Sequence, residues 1–263
     1  MNSESKPRII IMRHSERLDF VLRNSNWPSE VFINGVYTPN RPHLPTVLPH
    51  RDNPHEYLLD TPLTRYGKAH AYHTGAYFRS VGLIPSRVYT SPAMRCIQTS
   101  DSVLDGLGIR DKRPLRIDLA LHEPTRKELP LQTSNFYSSA GFHIDSKYRS
   151  LLTRNNDSRL IVGETRLQYY QRMYFVLKRI IKKLTDESKQ TSQPRTILIV
   201  THRSCVTLLA AMLNLKSIDD QLNYLNEIES HKRREVNFLS MIIAEYDATN
   251  RSWSYLTDLP QTK

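Results

Sequence analysis

Cysteine is scarce in this chain. Of 263 residues only Cys96 and Cys205 are cysteines, and neither belongs to a CxxC pair or a His/Cys cluster. That argues against a disulfide framework and a structural zinc site, and it points to reduced thiols in a cytoplasmic protein. Long hydrophobic runs are missing too. No stretch approaches the roughly 20 apolar residues that span a bilayer, and the run behind the polar start "MNSESKPR" is too short for a signal peptide core, so no membrane association is expected. The chain also lacks the aromatic-glycine signature of RNA-binding sheets and zinc-finger spacing. The net charge of +11 therefore does not read as nucleic-acid binding. The clusters "KRIIKK" (178–183) and "HKRRE" (231–235) fit a solvated helix face first and attraction of anionic substrates second.

What is present is a repeating α/β pattern. "IIIM" (9–12) and "ILIV" (197–200) are unbroken apolar runs, suited to strands covered on both faces of a parallel sheet. Between them, Thr64 reads as the N-cap of a helix running to Arg79 and ended by Gly82. "SRVYTSP" is a short strand, and Ser91 followed by Pro92 reads as the cap of a helix from Ala93 to Leu104, ended by Gly106. "PLRIDLAL" (114–121) is a further strand. Leu167, Tyr170, Tyr174, Leu177, Ile181 and Leu184 form the stripe of a long amphipathic helix from Glu164. "SCVTLLAAMLN" is a last helix, and "FLSMIIAEYD" with "SWSYLTD" a closing pair of strands. Seven of the 15 prolines fall between Pro28 and Pro62, which argues against regular elements there, while Trp27, Phe32, Tyr37 and Tyr57 argue that the stretch packs. The expected architecture is a three-layer α/β/α sandwich with a mostly parallel sheet. It forms a single domain over 1–263, with insertions at about 18–60 and 124–162 over the carboxyl edge.

The chemistry sits at the strand ends. "IIIMRHSERLDF" delivers Arg13, His14 and Arg17 to the carboxyl edge of the sheet, where open α/β folds bind ligands. Two guanidiniums push an imidazole toward its neutral, nucleophilic form and offer forked donors to a tetrahedral anion. The plainer reading of that stretch alone is a capping histidine with two solvated arginines. His202 ends the second buried strand, Arg95 lies in the first turn of a helix where the dipole favours anions, and Glu123 follows "PLRIDLAL". A mostly parallel sheet brings all six to one edge.

"MRHSERLDF", "TPLTRYGKAHA", "VYTSPAMRCIQT", "LHEP" and "ILIVTH", in that order, resemble the histidine phosphatase (phosphoglycerate mutase-like) superfamily. Within it they are most similar to the Sts/UBASH and ecdysteroid-phosphate phosphatase branch. The resemblance covers about residues 8 to 260 and none of the ubiquitin-binding or SH3 domains of the larger Sts proteins. It implies a metal-independent phosphoric monoester hydrolase working through covalent phosphohistidine. In it His14 is the nucleophile, Arg13, Arg17, Arg95 and His202 hold the phosphoryl oxygens, and Glu123 serves as acid and then base. Substrates would be phosphorylated small molecules or phosphoproteins, among them phosphotyrosine and steroid phosphates, and the Sts branch suggests a homodimer.

Two positions depart from the pattern. Ser15 stands where glycine is usual, at a cost if that position needs positive φ. Arg203 stands where glycine or alanine is usual, and either adds an anion contact or blocks the pocket. They motivate the alternative of a catalytically weak or inactive relative that binds phosphorylated ligands or protein partners.

Overall fold

A computed structural model describes residues 6–23, 25–152, 162–191, 195–215 and 236–256; "HKRRE" and the end of "SWSYLTD" lie outside them. The apolar run at residues 9–12 is the centre of the fold. It forms β1 (Arg8–Arg13), whose Ile9, Ile10, Ile11 and Met12 are all fully buried. Alternation along a strand sends Ile10 and Met12 into one core and Ile9 and Ile11 into another. Each such side chain contributes roughly 1.5–3 kcal/mol.

The first core is covered by α3 (Arg65–Ser80) and α4 (Met94–Leu107). The second is covered by α6 (Arg166–Thr191) and α7 (Arg203–Met212). Between these layers the strands are ordered β5 (Leu115–Ile117), β4 (Arg87–Thr90), β6 (Thr196–Thr201), β1, β7 (Met241–Asp247) and β8 (Ser252–Leu256). The first four are mutually parallel; β7 runs antiparallel to β1 and β8 to β7. The expected sandwich with a mostly parallel sheet is the one observed.

Several local expectations need correction. Ser91 does not cap α4. The helix starts at Met94, and its first N–H donates at 2.8 Å to the fully buried carboxylate of Asp60, leaving Ser91 for other work. Nor does α4 end at Gly106: it runs on to Leu107 and stops at Gly108, which takes the left-handed conformation at φ 74°. Gly106 is glycine because α3 crosses there; a Cβ would lie 1.9 Å from the Tyr72 carbonyl oxygen, and one on Gly75 2.0 Å from that of Val103. "PLRIDLAL" is a strand only through Ile117. Asp118 accepts a hydrogen bond from the Ala120 N–H and turns Leu119–Leu121 into a 3-10 turn.

The proline-rich stretch contains short elements after all: α1 (Leu18–Val21), α2 (Trp27–Val31), a hairpin of β2 (Phe32–Ile33) and β3 (Val36–Tyr37), and a 3-10 turn at Pro54–Leu58. Pro28 and Pro54 occupy first-turn positions, where a missing N–H breaks no bond. Trp27 and Tyr57 are buried and 5.9 Å apart. The second insertion carries α5 (Ser134–Ser139). The buried stripe of α6 is rotated from the expected one. It runs through Tyr169, Tyr170, Met173, Val176, Leu177, Ile180 and Leu184, while Leu167 is exposed. Lys182 and Lys183 face solvent, but Lys178 donates to the Leu215 carbonyl and Arg179 to that of Arg149.

Candidate active site

β1 ends by donating the His14 N–H to the Thr201 carbonyl on β6 at 2.9 Å, so the two strand-end histidines arrive side by side. Their rings lie 5.6 Å apart, edge to face, and both are buried. The His14 Nδ1 is 2.8 Å from the Ser15 carbonyl oxygen. A carbonyl only accepts, so Nδ1 carries the proton and Nε2 keeps its lone pair. Burial first, then Arg95, and less strongly Arg13 and Arg17, hold the imidazole well below its ordinary pKa. It is a neutral base with a free nitrogen.

The loop after His14 is tied down at several points. The Ser15 N–H donates to Thr99 Oγ1 at 3.0 Å, and that hydroxyl donates to the Arg95 carbonyl one turn earlier in α4. Thr64 joins the same loop to α3: its hydroxyl donates to Glu16 Oε1 at 2.6 Å and accepts from the Gly67 N–H. The expected Thr64 cap is thus present. Ser15 does not occupy positive φ, so serine carries no backbone strain where the related pattern has glycine. Its buried hydroxyl has no partner among the described residues.

Arg95 is 3% exposed and central. Its Nη2 donates at 2.6 Å to Glu123 Oε1 and at 3.1 Å to His202 Nδ1. An accepting Nδ1 leaves the proton of His202 on Nε2, which donates to Ser91 Oγ at 2.8 Å. Ser91 therefore orients His202. The pKa of His202 is held well below its ordinary value by burial, with Arg95 next. Glu123 also lies 3.3 Å from His202 Nδ1.

The other two arginines differ. Arg13 donates from Nη1 to the Val236 carbonyl at 2.7 Å and stacks 4.2 Å from the centre of the Phe238 ring. Burial, then Arg17 and Arg203, lower its pKa to about 10. Arg17 is paired with Asp19 at 2.9 Å and is partly open to solvent. Arg203 is exposed at the start of α7. All six expected residues are thus gathered, with Arg95, Glu123, His14 and His202 in one contact group and Arg13 and Arg17 beside it. The Nε atoms of Arg13 and Arg95 are buried donors without partners among the described residues, which suits a pocket that receives an anion.

Sequence reasoning missed the supports. Asp60 caps α4 and takes Arg51 at 2.5 Å on its other oxygen, joining the proline-rich insertion to the helix that carries Arg95. Arg172 donates to the Ala120 and His122 carbonyls and is paired with Glu164, bolting down the turn before Glu123. His122 is buried 4.9 Å from the His202 ring, its Nδ1–H donating to the Glu123 carbonyl at 2.7 Å. The adjacency of Asp60 to "TPLT" and of His122 to Glu123 was the only local signal.

Comparison with known proteins places the chain in a family. Residues 50–224 match the family described as Histidine phosphatase superfamily (branch 1), a span that contains Arg95, Glu123 and His202. Human ubiquitin-associated and SH3 domain-containing protein B is 28% identical over 270 residues, covering 99% of this chain and 39% of that protein. Ecdysteroid-phosphate phosphatase of Bombyx mori is 32% identical over 152 residues, 56% of this chain and 23% of that one. The chain thus spans less than half the length of either relative. Among solved structures, the ecdysone phosphate phosphatase of Bombyx mori in complex with tungstate superposes with a TM-score of 0.77 at 21% identity, over 98% of this chain and 95% of that one. Phosphoglycerate mutase from Bacillus anthracis does so at 0.52 and 15% identity, over 97% and 93%. The fold is of the phosphoglycerate mutase-like kind.

Proposed function

Because the chain belongs to the histidine phosphatase superfamily (branch 1), we propose that it is a phosphomonoesterase that transfers the phosphoryl group to His14 and then to water. The observation that carries this reading is the tautomer of His14: Nδ1–H is committed to the Ser15 carbonyl, so the free lone pair sits on a buried, neutral Nε2 beside Arg95, Arg13 and Arg17. Nε2 attacks phosphorus in line and the ester P–O bond breaks. The arginine donors take the charge spreading over the equatorial oxygens, an interaction that strengthens in the transition state. Glu123 gives its proton to the leaving oxygen. It then takes one from water, whose oxygen displaces His14 from phosphorus and restores the neutral imidazole.

Glu123 lies on Arg95. An arriving phosphate competes for that guanidinium and releases the carboxyl group toward the ester oxygen. Its negative charge also lets His202 hold a proton on Nδ1 and donate to a phosphoryl oxygen. Two relatives are named for steroid phosphates, and the solved relative's complex with tungstate, an oxyanion, fits a site built for phosphate. Small phosphate esters and phosphoproteins are accordingly the substrate classes, and a cytoplasmic homodimer is the expected form. Among the described residues no helix is long and apolar enough to cross a membrane.

The test is hydrolysis of p-nitrophenyl phosphate with and without magnesium or chelator, by the native chain and by His14→Ala. Activity indifferent to chelation and abolished in the variant, with acid-labile phosphate trapped on His14 by rapid quench, is the expected result. Near-normal turnover without His14, or loss of activity to the chelator, overturns the mechanism. Ligand binding without any turnover by the native chain favours the binding-protein alternative.

A further inference from the structure

Glu123 sits in neither helix nor strand, yet the turn that carries it is held residue by residue. The successive carbonyls of Ala120, Leu121, His122 and Glu123 each accept from a buried side chain. Arg172 Nη1 donates to Ala120 at 2.6 Å and to His122 at 2.8 Å. Thr201, the residue before His202 on β6, donates to Leu121 at 2.7 Å, and the His122 Nδ1–H to Glu123 at 2.7 Å. The His122 carbonyl belongs to the peptide plane that enters Glu123, and the Glu123 carbonyl to the plane that leaves it. With both planes rigid and both held, the backbone torsions of Glu123 are set, and Pro124 behind it disfavours the helical alternative. Motion is left to the side chain, which can carry the carboxyl group between Arg95 and an ester.

Arg172 is the distant member of this harness. It lies on the buried stripe of α6 beside Tyr169 and Met173, where an apolar side chain would pack as well. Instead its guanidinium is paired through Nε at 3.0 Å, and through Nη2, with Glu164, whose side chain is 2% exposed. An ion pair buried so deeply adds little to stability, because desolvation offsets the attraction. The two carbonyls account for it better. Glu164 grips Nε and Nη2 side-on, which fixes the plane of the fork and leaves Nη1 to the turn.

Resting on the phosphatase reading above, we infer that Arg172 is a positioning residue for the general acid: it sets where Glu123 stands, and through Glu123 it governs protonation of the leaving oxygen. It touches neither phosphate nor alcohol. Misplacing a reacting group by about 1 Å can cost about 10²-fold, and only esters whose alcohol needs the proton feel this loss.

Benzyl phosphate and p-nitrophenyl phosphate separate that role from a general one. Each carries a single ring, but benzyl alkoxide needs a proton to leave and nitrophenolate does not. Arg172→Lys keeps a charge beside Glu164 and cannot span both the pair and the two carbonyls. Arg172→Met combined with Glu164→Gln removes the pair whole and leaves no unpaired buried charge. In each, kcat/KM on benzyl phosphate should fall about tenfold or more beyond its fall on p-nitrophenyl phosphate. In a Glu123→Gln background the same changes should cost less than about threefold on either ester, because the group they position is already gone. Equal losses on the two esters, or a larger loss in the Glu123→Gln background, make Arg172 a merely structural residue and overturn its role. Should the combined variant fail to fold, Arg172→Lys decides by the same ratio. If the native chain hydrolyses neither ester, the phosphatase reading falls and takes the role of Arg172 with it. If it hydrolyses both and the ratio stays within about threefold in the variants, only the role of Arg172 falls.

Discussion

Replacing Arg95 with alanine tests whether this buried guanidinium is a catalytic clamp or an ordinary ion pair. Its Nη2 reaches Glu123 at 2.6 Å and His202 at 3.1 Å, and its Nε has no partner among the described residues. Removing one preorganised donor from a developing oxyanion costs about 2.7–4 kcal/mol, so kcat/KM on p-nitrophenyl phosphate should fall about 10²–10³-fold. A second signature has a definite sign. After burial, Arg95 is the largest influence lowering the pKa of His14. Without it the imidazole binds a proton more readily, so the acid limb of kcat/KM against pH moves to higher pH. Arg95→Lys keeps the charge and loses the fork, so it should leave the limb near its native position while still losing rate. Thermal stability should also drop, because Arg95 is buried and paired. Glu123 keeps a third of its side chain in water and can rehydrate, which limits the loss to about 1–2 kcal/mol, below the 3–5 kcal/mol of a fully buried pair. A fall in rate of less than about fivefold, or an acid limb that stays put or moves down in Arg95→Ala, refutes the clamp.

Glu123→Gln should be most impaired on esters with alkoxide leaving groups and much less on p-nitrophenyl phosphate, and should trap phosphate on His14 for the latter; equal loss on both with no trapped intermediate removes Glu123 from the acid–base role. His122 makes stability depend on pH. Burial pushes its pKa down to about 3, against about 6.5 unfolded, so between those values the unfolded chain binds the extra proton and stability falls as pH falls. From pH 7 to pH 5 this one group should contribute roughly 2 kcal/mol of the loss, and His122→Asn, which keeps a donor for the Glu123 carbonyl, should remove most of that slope in urea unfolding. An identical slope in the variant would show that His122 is hydrated in solution.

The parts legible in the sequence are those governed by short-range patterns. Ile9 to Met12 and residues 197–200 announce buried strands by composition, and a strand's end is where its next residue must emerge, so His14 and His202 could be placed at one edge before any coordinates. Arg95 followed from its place in a first helical turn. What could not be read depends on partners distant in the chain. Asp60 caps a helix that begins 34 residues later, displacing Ser91, which has all the local marks of a cap. Gly106 looks like a terminator but is demanded by the Tyr72 carbonyl of a neighbouring helix. Phe238 reaches His14 only because β7 pairs with β1. The burial of Arg95 was illegible for the same reason: local sequence shows that it starts a helix, not that Glu123 and His202 close over it.

The electrostatics of the site suggest an order of events for the proposed reaction. Three guanidiniums press on His14, and the carboxylate of Glu123 is the counter-charge on Arg95. A phosphate dianion offers Arg95 two forked oxygens where Glu123 offers one, so binding exchanges one anion for another, not a solvated cation for a paired one. The displaced carboxyl group is then beside the ester oxygen that the general acid must serve. Once the alcohol has left, the same group is an ionised base within reach of water. In the proposed reaction Glu123 is therefore both the placeholder in a crowded cationic pocket and the proton carrier, and Arg95 links the two roles by exchanging the carboxyl group for phosphate.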